Sequence, residues 1–484
     1  MKKNADLICE VFYTERYENA VPGHEEIELA LMKLADVTGD KKYADMAKEF
    51  VDRRGTEPNY LFHESEREDF IDVWHDNNPY INEYGQNHKP VREQTTAEGH
   101  AVRAVYLYCA MADIAEKYHD ETLLKACENL YNNMVQKRMY ITGGIGTSGT
   151  LERFTTDYDL PNDTNYSESC ASIGLALFCR RMAQITGDGK YIDTMELALM
   201  NTVLAGIAMD GKSFFYVNPL EVWPKNCIPG TDKNHIKAVR QKWFGCACCP
   251  PNIARTLSSL GEYLYFTSSD GLYINIYAGG TLETDALGGK KTLKVDTKFP
   301  FEGRVSIKLE SREKGSGKKK LYLHIPEYAK DYKVRVDGKE VKYQIEQGYA
   351  VIEDEWENQT VEVAFEMPVH FVYANPEVRA DIGKTAVVKG PLVYCLEETD
   401  NGENLASMYV DTERGLTEEW REDILGGVMT IKAEGKQLDR AQWGSDSLYM
   451  TKPAGMKEIE LTFVPYANWG NRKQGEMAVW VKYC

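Results

Sequence analysis

The chain has 484 residues, 43% hydrophobic and 27% charged, with a net charge of −18; this is the make-up of a globular protein too long for one core, so two or three domains are expected. No apolar run approaches the roughly 18–20 residues of a membrane span, and no apolar signal core follows Met1-Lys2-Lys3. Against so acidic a background no Lys/Arg cluster offers a nucleic-acid surface, so a neutral partner such as a sugar fits better than a polyanion.

The first half reads as helices. Periodicity predicts them over residues 5–15, 24–37, 42–53, 97–117, 122–137, 170–186, 191–208 and 252–266; in the second, Ile27, Ala30, Leu31 and Leu34 recur at helical spacing. A phrase repeats at the junctions. Val37-Thr38-Gly39-Asp40 and Ile185-Thr186-Gly187-Asp188 each end one helix and open the next, and Tyr118-His119-Asp120 stands at a matching place. Glycine after a helix supplies the left-handed stop, and aspartate caps the helix that follows. Long hairpins in series predict a toroid of helix pairs with a pocket at one end. The stretches 56–95 and 139–166 are long loops, which on a helical scaffold are usually functional.

Near residue 267 the pattern changes to alternation. Residues 305–309, 320–325 and 361–365 read as strands, and 334–341 as a hairpin through Asp337-Gly338. The expected organisation is a helical domain over 1–267, a β-sandwich over 268–398, and a C-terminal β domain over 399–484, starting at the polar stretch 399–404.

Eleven cysteines, an odd number scattered through a large chain, are not a disulfide framework; free or metal-bound thiols in a reducing cytoplasm are expected. Three of them crowd into Cys246-Ala247-Cys248-Cys249, followed by Pro250-Pro251. Thiols that close oxidise or bind a soft metal. Glu168 and Cys170, at the start of a predicted helix, point to the same side if the segment is extended. Glu168, Cys170, Cys248 and Cys249 would then hold Zn²⁺ with three sulfurs and one oxygen, with Cys246 as an alternative ligand. Four protein ligands usually mark a closed structural site, yet a closed site also keeps thiols ionised, and thiolate is the nucleophilic form. A helix starting after Pro250-Pro251 places its positive end at the same thiols.

A nucleophile needs a proton donor for its leaving group. Glu152, just after the turn Thr142-Gly143-Gly144-Ile145-Gly146, is the best candidate, although a loop glutamate is more often plain surface. His24 and His100 each follow a glycine near a helix start, where a cap or core histidine is the default and a sugar-binding donor the sharper reading. Tyr216 serves equally as core or as a substrate platform.

These residues lie in longer stretches that resemble a known family. GCACCPPN at 245–252, DYDLPNDTNYSESCAS at 157–172, PGHEEIELAL at 22–31, SFFYVNPLE at 213–221 and PYANWGNR at 465–472 resemble the β-L-arabinofuranosidases of glycoside hydrolase family 127. The resemblance runs from end to end. It implies an (α/α)6 catalytic barrel followed by β-sandwich domains, an α+β multidomain class. It implies a retaining mechanism with Cys248 as nucleophile and Glu152 as acid/base, zinc on Glu168, Cys170, Cys248 and Cys249, and a sugar pocket lined by His24, His100 and Tyr216. In the family several barrel helices precede the segment matching Ala5–Cys9, so the barrel is expected to be N-terminally incomplete here, with about eight helices in place of twelve.

The leading expectation is therefore a zinc-dependent glycosidase acting on an arabinofuranoside, without nucleic-acid or membrane partners and with a homo-oligomer allowed. The alternative is a non-catalytic carbohydrate-binding or scaffold protein with a structural zinc site.

Overall fold

Residues 1–67, 82–313, 315, 317–441, 443 and 446–484 are described by a computed structural model; of the long loop expected over 56–95, residues 68–81 lie outside the described residues. Among the described residues eight helices of nine residues or more occupy the first half: Lys2–Phe12, Ile27–Thr38, Lys41–Arg53, Ala101–Tyr118, Glu121–Lys137, Ser169–Thr186, Lys190–Ala198 and Cys249–Ser258. β-sheet makes up most of the rest, so the helical-then-β class expected from the sequence is found.

The repeated junction phrase works through its caps. Gly39 and Gly187 both take φ of 70°, and His119 takes the same left-handed role at φ 53°. Asp40, Asp120 and Asp188 then accept hydrogen bonds from the backbone N–H groups of Lys42, Leu123 and Lys190 at 3.0–3.2 Å. Each junction thus closes a helical hairpin with few orphan backbone groups. The hairpins pack closely: a Cβ on Gly174 would lie 2.3 Å from Val105 Cγ2, so the helices Ala101–Tyr118 and Ser169–Thr186 meet only because position 174 carries no side chain. No helix among the described residues is long and apolar enough to cross a membrane.

Two helices differ from expectation. The one predicted over 191–208 is α-helical only to Ala198 and continues as a π-turn, Leu199–Val203. Asn201 explains the change. Its side chain donates to Leu197 O and Pro391 O at 2.8 Å and accepts from Val393 N at 2.9 Å, tying the widened turn to a strand 190 residues away in sequence. The helix predicted over 252–266 begins earlier, at Cys249, because prolines are well suited to a first turn. It ends at Ser258; a single turn, Gly261–Leu264, and a strand, Tyr265–Thr267, take its remaining length.

Among the described residues the β half forms three sheets. A six-stranded sheet covers 280–366 and a five-stranded sheet covers 265–354. They share one core that includes Leu272, Leu293, Ile307, Leu321 and Val363, which makes them a sandwich. The hairpin at Asp337-Gly338 is present, with φ of 49° and 74° as a type I′ turn requires. The third sheet has ten strands and runs from His370–Val372 to Val481–Tyr483, joining strands on both sides of residue 398. Glu221–Val222, from the helical half, pairs with Met477–Ala478 at one edge.

The helical half meets the sandwich through a titratable contact. Tyr328 Oη donates to Glu196 Oε2 at 2.7 Å, Glu327 N donates to Asp193 Oδ1 at 3.3 Å, and the buried His324 lies 3.4 Å from Asp193. Burial pushes Asp193 to about 7 and Glu196 to about 8, and the same burial pushes His324 down to about 4. The folded chain therefore holds two carboxyl protons that the unfolded chain has lost, and the stability they confer drains away as pH rises through 7–8. His324 acts with the opposite sign, but between its folded value of about 4 and the ordinary 6.5. Above about pH 6.5 His324 no longer contributes, and comparison with a protein lacking both carboxyls isolates their share. The thermal midpoint should fall between about pH 6.5 and 8.5, and more steeply than in the Asp193→Asn/Glu196→Gln protein. Equal slopes for the two proteins would refute the linkage.

Candidate active site

The loop carrying Glu152 is held by backbone pairing. Arg153 exchanges hydrogen bonds with Ser148 at 3.0 and 3.1 Å, and Phe154 N donates to Gly99 O at 2.9 Å. The fold back requires Leu151 at φ 59° and Glu152 at φ 51°. Two successive left-handed non-glycine residues are strained, and such strain gathers at functional sites. Here it sends Glu152 inward against the start of the helix Ala101–Tyr118.

Both carboxylate oxygens of Glu152 are engaged. Oε1 accepts from Tyr166 Oη at 2.6 Å, and Oε2 accepts from His100 Nε2 at 2.8 Å. His100 is the N-cap of its helix: its Nδ1 accepts from the N–H groups of Val102 and Arg103 at 3.2 and 3.4 Å. The lone pair on Nδ1 is thereby used, which leaves the proton on Nε2 to face Glu152. The two sequence alternatives for His100, cap and pocket donor, are the two ends of one ring. Burial pushes Glu152 up, but the bonds from His100 and Tyr166 outweigh it and hold the carboxyl below its ordinary range.

Next to this lies a sulfur cluster. Glu168 is the extended N-cap residue of the helix Ser169–Thr186 and Cys170 sits in its first turn. The segment is pinned by Asn218, whose side chain donates to Ser167 O at 2.9 Å and contacts Ser169 Oγ at 3.0 Å, and by Ser169 N donating to Tyr216 O at 3.0 Å. Cys248 is the N-cap residue of the helix Cys249–Ser258. Across this junction Cys248 Sγ is 3.3 Å from Glu168 Oε1, Cys249 Sγ is 3.5 Å from both Glu168 Oε1 and Cys170 Sγ, and the two adjacent sulfurs are 3.8 Å apart. All four ligand atoms lie within 4.8 Å of one another. Cys170, Cys249 and Glu168 are buried, whereas Cys248 reaches solvent. Cys246, the alternative ligand, is exposed and outside this group.

The donor set fits a tetrahedral ion. Zinc–sulfur bonds of about 2.3 Å imply sulfur–sulfur edges of about 3.7 Å, close to the 3.5 and 3.8 Å found. Glu168 Oε2 is buried without a hydrogen-bond partner, a costly state that a cation relieves. Burial pushes Glu168 and Cys249 up, and the bond to Cys248 keeps Cys170 protonated. Cys248 shifts the other way, held down by hydrogen bonds from Cys170 and Cys249.

The remaining expected residues surround these groups. Tyr216 is buried, and its hydroxyl oxygen lies 3.2 Å from Cys248 Sγ, accepting from the thiol. His24 is accessible on a crowded wall; desolvation, with Arg103 and His100 nearby, pushes it down to about 4, so it is neutral at pH 7. The loop carrying it is clamped from below. Arg54, fully buried, donates to Pro22 O at 2.8 Å and to the buried carboxylates of Glu25 and Glu28 at 3.0 and 3.1 Å, and Arg103 reaches Gly23 O and Glu25.

Sequence reasoning missed Tyr166 and His235. The Tyr166 ring stacks on His235, with centroids 5.9 Å apart and planes at 26°, while its hydroxyl holds Glu152. Tyr166 lies two residues before Glu168 in the quoted stretch, so its position was a usable signal; nothing in the sequence around His235 marks it.

Known proteins resemble this chain along almost its whole length. The family model described as the beta-L-arabinofuranosidase, GH127 catalytic domain, matches residues 1–262, and the GH127 middle and C-terminal domain models match 271–369 and 369–482. A non-reducing end beta-L-arabinofuranosidase from Bifidobacterium longum subsp. longum is 36% identical, over 99% of this chain and 74% of that protein. The crystal structure of a GH127 beta-L-arabinofuranosidase from Geobacillus stearothermophilus T6 superposes with a TM-score of 0.93 at 44% identity, covering 99% of this chain and 75% of that one. A second solved GH127 beta-arabinofuranosidase gives 0.85 at 36% identity, covering 99% and 72%.

Proposed function

Because the chain belongs to glycoside hydrolase family 127, we propose that it releases β-L-arabinofuranosyl residues from glycans with retention of configuration, using Cys248 as nucleophile and Glu152 as acid/base. One observation carries this reading: an accessible sulfur in a buried acidic cluster faces a carboxylate across Glu168. Cys248 Sγ is 3.3 Å from Glu168 Oε1, and Glu168 and Glu152 bring carboxylate oxygens within 4.8 Å of each other. A purely structural metal site does not call for a second carboxylate, set on a strained loop and held by His100 and Tyr166, within 4.8 Å of one of its ligands, which argues against the scaffold alternative.

Glu168, Cys170, Cys248 and Cys249 would hold zinc, whose charge keeps thiols ionised at neutral pH. Cys248 Sγ attacks the anomeric carbon of the bound sugar. The carbon–sulfur bond forms as the bond to the aglycone oxygen breaks, and Glu152 gives its proton to that oxygen. Glu152 is ionised in the free enzyme, so it must gain a proton as substrate binds. The leaving oxygen displaces a hydrogen-bond donor from Glu152, and the sugar excludes water from a side chain that is 31% exposed; both raise its affinity for a proton. In the second step Glu152 takes a proton from water, the oxygen attacks the same carbon, and Cys248 departs as thiolate. Two inversions return the original anomer. Once Cys248 is ionised the Tyr216 hydroxyl, 3.2 Å away, turns to donate to the thiolate, and His100 and Tyr166 orient Glu152. His24, neutral on the wall, suits a sugar hydroxyl.

The test is to follow hydrolysis of an aryl β-L-arabinofuranoside by proton NMR. The first product seen should be the β-anomer; the α-anomer, or no turnover of any arabinofuranoside, would overturn the reading. Elemental analysis of protein purified without chelator should find about one zinc per chain. Its removal should abolish turnover and lower the thermal midpoint, and Cys170→Ser should reproduce both effects. Unpaired cysteines and a thiolate metal site support a reducing, cytoplasmic setting.

A further inference from the structure

A cavity of about 360 Å³ lies away from the sulfur cluster, where the strand Glu221–Val222 joins the C-terminal sheet. Its floor is apolar: Val222, Leu405, Met408, Met477 and Val481 are all buried. Its rim is charged but balanced. Lys233 pairs with Asp163, and Lys384 stands 3.7 Å from Glu221. Lys482 donates to Ala406 O at 2.7 Å, and Glu476 accepts from the N–H groups of Asn404 and Leu405 at 3.1 and 2.8 Å. Three ammonium groups face three carboxylates, so the cavity favours neither an anion nor a cation. Two indoles line it, Trp480 at 8% exposure and Trp223 left 51% exposed.

We infer that this cavity is a second saccharide-binding site, for a neutral mono- or disaccharide unit of the same glycan the enzyme trims; the ligand class rests on the proposed function, the site does not. A furanose ring has an apolar face of C–H groups, which suits an indole and an aliphatic floor. Its hydroxyls both donate and accept, which suits the adjacent ammonium–carboxylate pairs Lys233–Asp163 and Lys384–Glu221. The volume is at the low end of ligand sites, enough for one or two sugar rings. The lining includes Asp163 and Lys233, three residues before Tyr166 and two before His235. Along the chain these two residues lead to the stacked rings of Tyr166 and His235, of which Tyr166 bonds Glu152.

The experiment uses Cys248→Ser protein carrying ¹⁵N-labelled tryptophan, titrated with methyl β-L-arabinofuranoside. The Trp223 and Trp480 indole signals are assigned by their disappearance in Trp223→Phe and Trp480→Phe proteins. Saturable shifts of both are expected, and in Trp223→Ala the midpoint of the Trp480 shift should rise about three- to tenfold, the scale of one lost aromatic contact. Trp223→Phe should keep most of the affinity, which separates lost stacking from misfolding. No shift of either signal up to 100-fold excess over the concentration that protects the catalytic site, or an unchanged midpoint in Trp223→Ala, would overturn the inference. So would stronger shifts with inorganic phosphate, which would show an anion site. Hydrolysis by the wild-type chain is assayed separately: a chain that turns over substrate but shows no shift defeats only this inference, and one that shows the shift without turnover defeats only the catalytic reading.

Discussion

Cys248→Ser is expected to lower kcat/KM for an aryl β-L-arabinofuranoside by on the order of 10³- to 10⁶-fold, the range for removing a covalent nucleophile. The reason is chemical, since a serine hydroxyl at that position has no comparable ionised form at neutral pH. The three buried donors Glu168, Cys170 and Cys249 remain, so the variant should keep most of its metal and its thermal midpoint. That combination distinguishes Cys248 from its neighbours: Cys170→Ser and Cys249→Ser act on buried ligands and should lose metal and stability along with activity. Mass spectrometry of the wild-type protein quenched during turnover of a fast-leaving substrate should find one pentosyl unit on the peptide bearing Cys248. Turnover of Cys248→Ser within tenfold of wild type, or a pentosyl unit on a carboxylate instead, would remove the cysteine from the reaction.

Glu152→Ala should slow hydrolysis by about 10²- to 10⁴-fold, the usual contribution of a positioned acid/base. Its signature lies in how the loss divides. An aryl leaving group of low pKa needs no proton, so the first step should survive and the sugar should accumulate on Cys248. Only the second step, in which Glu152 must deprotonate water, should stall. Azide needs no deprotonation and should rescue that step, giving a β-configured glycosyl azide. A variant without rescue, losing equal rate on good and poor leaving groups, would make Glu152 a structural residue. His100→Ala and Tyr166→Phe each remove one hydrogen bond from Glu152. Each should raise KM less than it lowers kcat, because these side chains act on the acid/base.

Several of these features are visible in the order of residues alone. The Gly-Asp junctions mark where helices stop and start because a left-handed stop and a side-chain cap are local events, complete within four or five residues. Asp337-Gly338 marks its hairpin for the same reason. The family stretches carried the identity of the sulfur and carboxylate groups, and the proline pair after Cys249 marked a helix start, which the structure sets at Cys249, before the prolines and not after them. What could not be read is convergence. Cys248 and Glu168 are 80 positions apart, and Glu152 and His100 are 52; their separations of about 3 Å depend on how closely whole helices pack, down to the missing side chain at Gly174. The π-turn at Leu199–Val203 arises from a strand near residue 391, and the partnership of Tyr166 with His235 from two loops meeting. Periodicity and capping are set by neighbours along the chain, whereas these contacts are set by packing between segments that no local pattern encodes.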